Sequence, residues 1–147
     1  MAVDRQAVFN KFNGLCGYSG TTLEDDWQVD HIFPKHFMHW LKSSRMCEIY
    51  NINITDINHI DNLIPAQRII NHYKGGLFLN ELRGIGSYGL QSLHTRIAKL
   101  PKNPKTEKSI TRKRNMFKLA SYFNITPENN PFDGWFYFEK LMLSEWF

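Results

Sequence analysis

Cysteine is nearly missing from this chain: Cys16 and Cys47 are the whole complement of 147 residues. No Cys-x-x-Cys pair can be formed from them, which excludes a disulfide framework and a four-cysteine zinc site. Long apolar runs are missing as well. None approaches the roughly 20 residues that span a bilayer, and no secretory h-region opens the chain. A cytoplasmic protein without a membrane partner is therefore expected. Asn53-Ile54-Thr55 and Asn124-Ile125-Thr126 spell glycosylation sequons, but without a leader they carry no meaning. Internal repeats and low-complexity segments are also lacking.

What is present points to a folded globule. Hydrophobic residues make up 42% and aromatics 14%, too much apolar surface for a disordered tail. A chain of about 150 residues buries roughly 68–70% of its unfolded surface and needs no disulfide to hold a core. The net charge is +4, and its location is more informative than its size. Residues 99–118 hold Lys99, Lys102, Lys105, Lys108, Arg112, Lys113, Arg114 and Lys118 against Glu107, a net +7, while the remaining chain is −3. Such a concentration suits a face that meets phosphates.

Local patterns predict the elements. Asp4 can cap a first helix with Val8, Phe9 and Phe12 on its apolar side, ended by Gly14. Gly17 to Thr22 reads as a turn. Trp27 to Ile32 alternates as a strand does, and Pro34 closes it. Phe37 to Met46 suits a short helix, and Asn51 to Asn58 a loop. Leu63 and Ile64 make a very short strand before Pro65. Ala66 to Lys74 suits a helix stopped by Gly75 and Gly76. Helices are expected over 77–83, 88–99, 107–123 and 133–145. Pro101 and Pro104 mark a linker, so residues 1–100 form a core and 101–147 a basic helical extension of the same compact unit.

The chemistry gathers in Asp30-His31-Ile32-Phe33-Pro34, in Asp61-Asn62-Leu63 and in Asn71-His72-Tyr73-Lys74. A carboxylate beside a histidine offers a metal ligand next to a base, and ordinary imidazole is neutral enough at pH 7 to take a proton from water. Oxygen donors from one Asp and one Asn suit a hard divalent ion that keeps several waters. In a regular strand Asp30 and His31 point to opposite faces, so both serve one site only where the strand ends or bulges.

This pattern resembles the HNH, or ββα-metal, nuclease superfamily. Its members read Asp-His-Ile-x-Pro, then Asn-Leu, then Asn-x-x-Lys closing a helix, and the likeness covers residues 12–76. The resemblance implies an α+β fold, a ββα-metal finger embedded in a mostly helical single domain. It implies a DNA endonuclease with His31 as general base, and Asp30 and Asn71 as ligands of one divalent ion, Mg²⁺ first and Mn²⁺ as the alternative. Asn62 would pin the loop that orients His31. Lys74 would lie near a DNA phosphate, joined in DNA binding by Arg112, Lys113 and Arg114. Two departures stand out. The zinc-binding Cys-x-x-Cys pairs of many members are reduced to Cys16-Gly-Tyr-Ser19 and to Gln67 and Ile70, so no structural zinc is expected and apolar packing must support the finger. Residues 36–58 read as an insertion.

Other readings compete. The same scaffold could grip DNA or a protein without cutting, or act on RNA. The retained Asp30, His31 and Asn71 favour cleavage, expected on double-stranded DNA. The resemblance, with the small size and lone finger, implies a phage or restriction-type nuclease in a bacterial or phage-encoded setting. His72 diverges from Asn71 by about 100° on a helix and is expected to turn away. His36, His39, His59 and His94 have no motif partner. Gly84-Ile85-Gly86-Ser87-Tyr88-Gly89 spells a nucleotide-binding fingerprint, but that fingerprint needs a strand before it, and Leu77 to Arg83 reads as helix, so the stretch reads as a Gly-rich interhelical turn. Phe132, Trp135, Phe136, Tyr137 and Phe138 read as the apolar face of the last helix, with Trp146 and Phe147 available for a homodimer.

Overall fold

The computed structural model describes residues 3–35, 57–84 and 89–144. The expected helix at 37–46, most of the 51–58 loop, the centre of the Gly-rich turn, Trp146 and Phe147 lie outside those residues. Among them run six α-helices and a two-stranded antiparallel sheet, a mixed α/β arrangement. No described helix is long and apolar enough to cross a membrane.

Helix α1 is Arg5–Asn10, and Asp4 caps it by accepting from the Ala7 amide at 3.1 Å. Such a cap satisfies one of the orphan amides of the first turn. Strand β1 is Gln28–His31 and β2 is Leu63–Ala66. Their register pairs Gln28 with Ala66, Val29 with Pro65, Asp30 with Ile64 and His31 with Leu63. The expected strand β1 is thus shortened at both ends, and β2 runs through Pro65 where an end was expected. The reason lies in the ladder. The Ile32 amide donates to Asn62 O at 2.9 Å, so the hydrogen-bonded pairs alternate from there and skip Val29–Pro65. Pro65 therefore has no ladder bond to lose.

The outer edge of β2 is covered by the loop after α1. Gly17 N donates to Pro65 O at 2.8 Å. A Cβ on Gly17 would meet Ile64 Cγ1 at 2.2 Å, so this approach of loop to strand requires glycine. Helix α2, Arg68–Lys74, crosses the pair and ends at Gly75, whose φ is +51°. Beyond it come α3 (Leu79–Arg83), a 3₁₀ turn at Leu90–Ser92, α4 (Leu93–Ala98), α5 (Glu107–Ser121) and α6 (Tyr137–Ser144). Each is shorter than its pattern suggests, as helix ends are in general.

One apolar core joins the first loop, β2 and α2 to the later elements. It contains Cys16 from the loop and Ile64, Ile69 and Ile70 from β2 and α2, with Leu82, Leu93, Ile97, Leu119 and Phe136 from the later parts. The start of α6 is stitched onto the first loop, Tyr137 N to Tyr18 O at 3.0 Å and Phe138 N to Gly17 O at 2.9 Å. Arg83 grips Glu139 through two parallel bonds of 2.8 and 2.9 Å, the strong bidentate form. Phe132, Trp135 and Phe136 precede α6 instead of lining it, and Phe136 is a core residue packed edge-on to Tyr18 at 5.3 Å.

Candidate functional site

The site is built where β1 stops. Ile32 and Phe33 bend away from the strand, and the bend is held by one side chain. Asn62 is fully buried. Its Oδ1 accepts from Phe33 N at 2.8 Å, and its Nδ2 donates to Ile57 O at 2.8 Å and to Phe33 O at 3.4 Å. Residues 33 and 57 bracket the long segment between the two halves of the motif. Asn62 thus closes that segment at its base while fixing the backbone directly after His31. Satisfying buried backbone groups in this way avoids about 1–3 kcal/mol for each orphaned partner.

His31 is half-buried, and its Nε2 lies 2.7 Å from Asn58 Oδ1. An amide oxygen only accepts. Against that oxygen Nε2 is the donor, so in the neutral ring Nδ1 is the nitrogen left to accept a proton. Nothing in the sequence singles out Asn58, which sits in a polar stretch rich in Asn and Ile. Only the closure of the long segment by Asn62 brings it back to His31.

Asp30 points to the other face, toward α2, and is 6% exposed. Its Oδ2 accepts from the Tyr18 hydroxyl and lies 3.2 Å from Lys74 Nζ. Burial pushes the Asp30 carboxyl above its ordinary range, and the Lys74 ammonium and Tyr18 hydroxyl pull it back. Tyr18 is fully buried, and burial with the Asp30 charge beside it drives its hydroxyl far upward. It is therefore a permanent donor to Asp30. The sequence hides Tyr18 because its four-residue neighbourhood reads as a decayed zinc pair.

Lys74 overturns an expectation. The family resemblance places it near a DNA phosphate, yet it is 1% exposed, and its Nζ donates to His31 O at 2.9 Å as well as facing Asp30. Helical spacing explains this. Lys74 lies four residues after Ile70, which is wholly buried, so both share the inward face of α2. His72 is exposed. Asn71 is half-buried and donates through Nδ2 to Gln28 Oε1 at 2.6 Å. Gln28 and Asp30, two apart on β1, share a strand face, so Asn71 meets the same side of β1 as Asp30. Among the described residues no hydrogen bond or ion pair joins the His31 ring to Asp30 or Asn71.

Around this centre, the positions of the zinc pairs hold other chemistry. Cys16 and Ile70 lie in the core. Ser19 Oγ meets Thr21 Oγ1 at 2.7 Å. Gln67, fully buried, donates to Thr21 Oγ1 at 3.0 Å and Thr22 O at 2.8 Å, and accepts from Glu24 N at 3.1 Å. The loop is thus fastened to the start of α2 by an amide clamp, where apolar packing alone was expected.

Protein-family models, curated proteins and solved structures were compared with the chain, and none matches it.

The basic segment lies mainly on α5. Lys108, Arg112 and Arg114 are exposed. Lys113, expected to act with Arg112 and Arg114, is turned to the preceding linker, its Nζ donating to Pro101 O at 2.8 Å and Lys102 O at 3.0 Å. Neighbours on a helix diverge by about 100°, so these three cations cannot all present one face. Lys118 pairs with Glu24 at 3.0 Å.

Proposed function

We propose that the chain is a metal-dependent, HNH-type endonuclease that hydrolyses DNA phosphodiester bonds. One observation carries the reading: the order of the motif coincides with the fold. Strand β1 ends on Asp30 and His31, Asn62 leads into β2 with its amide on Phe33, and α2 lays Asn71 against β1 through Gln28. The chain bends directly after His31, at the end of the strand.

In this reading His31 Nδ1 takes a proton from water while Asn58 holds the ring by Nε2. The hydroxide attacks phosphorus in line, and the bond to the 3′-oxygen breaks. General-base help of this kind is worth about 10²–10⁴ in rate. The carboxylate of Asp30 and the amide oxygen of Asn71 are hard donors that fit Mg²⁺ or Mn²⁺. Such an ion, when bound, neutralises charge on the phosphate and the leaving oxygen. The protein's own part is to fix these groups: Tyr18 and Lys74 hold Asp30, Gln28 holds Asn71, and Asn62 holds the turn after His31.

Supercoiled plasmid and structured RNA, each incubated with Mg²⁺ or with EDTA, test the reading. Plasmid cleavage that needs Mg²⁺ is expected. Binding without cleavage would favour the gripping scaffold, and cleavage confined to RNA would favour the ribonuclease.

The exposed cations of α5 give a separate expectation. Neutralising Lys108, Arg112 and Arg114 together should weaken binding to all DNA sequences alike. The slope of log affinity against log salt should shrink by about 0.9 for each phosphate that these cations no longer neutralise. Lys113 is left intact so that the linker stays in place. Unchanged affinity and slope in a binding titration at several salt concentrations would make α5 a solvated face.

A further inference from the structure

A hollow of about 180 Å³ opens where the chain after α5 meets the first loop. Its walls are aromatic: Tyr122 and Phe123 follow α5, and Phe132, Trp135 and Tyr137 run up to the start of α6. The aromatic stretch before α6 is thus divided. Phe136 enters the core, while Trp135 keeps 48% of its surface exposed. Tryptophan is highly buried on average, yet this exposed indole is held in place. Arg83 grips Glu139 with two bonds, donates to Gly134 O, and stands 5.8 Å from the Trp135 ring centre. Phe132 is fixed edge-on by Phe123 at 5.6 Å. The rings form a platform before any ligand arrives.

Size and charge select the occupant. Sites for drug-sized ligands and cofactors run to roughly 300–1,000 Å³, so this hollow takes one flat ring. Its rim carries the half-exposed pair of Lys140 and Asp133 at 3.0 Å, a donor and an acceptor for the ring's polar edge. Arg114, Lys118 and Tyr122 stand four apart on one ridge of α5 and its C-cap. Glu24 accepts from the Tyr122 hydroxyl and pairs with Lys118 at 3.0 Å, which fixes the Tyr122 ring. Arg114 is left as the exposed cation of that ridge, about 12 Å from Tyr122 by helix rise. A phosphate chain carrying planar heterocycles matches this order of groups. Tyr18 also lines the hollow while its hydroxyl donates to Asp30, so the hollow adjoins the end of β1.

We propose that this hollow takes one unpaired base of DNA, stacked on Trp135, with the attached phosphates running toward Arg114. A base inside a duplex is stacked on both faces and must leave the stack to enter, so the ligand is a single-stranded end or an opened stretch. The inference rests on the DNA half of the reading above and not on the chemistry at His31.

Two labelled duplexes test it. Both carry short single-stranded tails at their 3′ and 5′ ends, thymidine in the first and abasic in the second, so that the phosphates are equal. Each is titrated with the native protein in EDTA and followed by fluorescence anisotropy. The bases should tighten binding by about 5–150-fold, the worth of one base–aromatic stack. Trp135→Ala should erase that difference and leave the affinity for the abasic duplex nearly unchanged, whereas Trp135→Phe should keep part of it. Equal affinity of the native protein for the two duplexes would overturn the inference, whether or not Trp135→Ala folds. So would a base preference that a folded Trp135→Ala retains. Should the native protein cut plasmid with Mg²⁺ yet show no base preference, the inference alone falls. A base preference lost in Trp135→Ala, from a protein that cuts no plasmid, would bring down the nuclease reading and leave the base site standing. Binding to neither duplex would bring down both.

Discussion

His31→Ala is expected to slow plasmid cleavage by about 10²–10⁴-fold, the worth of a positioned general base. Fold and DNA affinity should change little, for three reasons. The imidazole bonds to Asn58 Oδ1, on the half-buried rim of the site. The contact that matters to the core is made by the His31 backbone carbonyl, which accepts from Lys74 and survives the substitution. The exposed cations lie on α5, away from the imidazole in sequence and element. Single-turnover cleavage at saturating Mg²⁺, a duplex-binding titration and a thermal melt separate these effects. Turnover like that of the native protein would remove His31 from the mechanism. Abolished turnover with a matching drop in melting temperature would make it a structural residue only.

The largest effect on stability should come from Lys74→Met. Removing one partner of a buried ion pair leaves the other charge uncompensated and costs about 3–5 kcal/mol. For a domain of this size each kcal/mol moves the midpoint by roughly 2–4 °C, so a drop of about 6–20 °C is expected. The pH dependence has a definite sign. Asp30 already has its carboxyl raised by burial, and Lys74 is the strongest influence lowering it. Without Lys74 the folded chain holds the Asp30 proton more tightly than the unfolded chain does. The variant should therefore regain stability as pH falls and lose it as pH rises through the folded-state value. Melts at a series of pH values would show this trend relative to the native protein. Asp30→Asn combined with Lys74→Met should recover part of the stability, because neither charge is then left alone. A Lys74→Met midpoint within a degree or so of native would show that the pair contributes no more than an exposed one.

Local chemistry made much of the frame legible without a structure. Asp4 caps α1 because a carboxylate can reach its own third amide onward. Gly75 ends α2 because only glycine takes its conformation cheaply. The apolar alternation before Pro34 and the motif order place Asp30, His31, Asn62 and Asn71 on two strand ends and a helix. All of these depend on neighbours a few positions apart, which a sequence displays directly.

What remained hidden depends on residues brought together from a distance. Tyr18 meets Asp30 across 12 positions, and Asn58 meets His31 across 27. Lys74 meets the His31 carbonyl across 43, and Gln67 clamps Thr21 across 46. Periodicity could put Lys74 on the Ile70 face of its helix, but a lysine reads as a surface residue until a buried carboxylate is seen to receive it. Likewise Lys113 reads as one of three adjacent cations until the linker carbonyls of Pro101 and Lys102 are folded against it. The sequence by itself determined which groups could do chemistry. The tertiary structure decided which of their charges are already spent inside the protein, because burial and partner distance, not residue type, set whether a charge is free to meet a ligand.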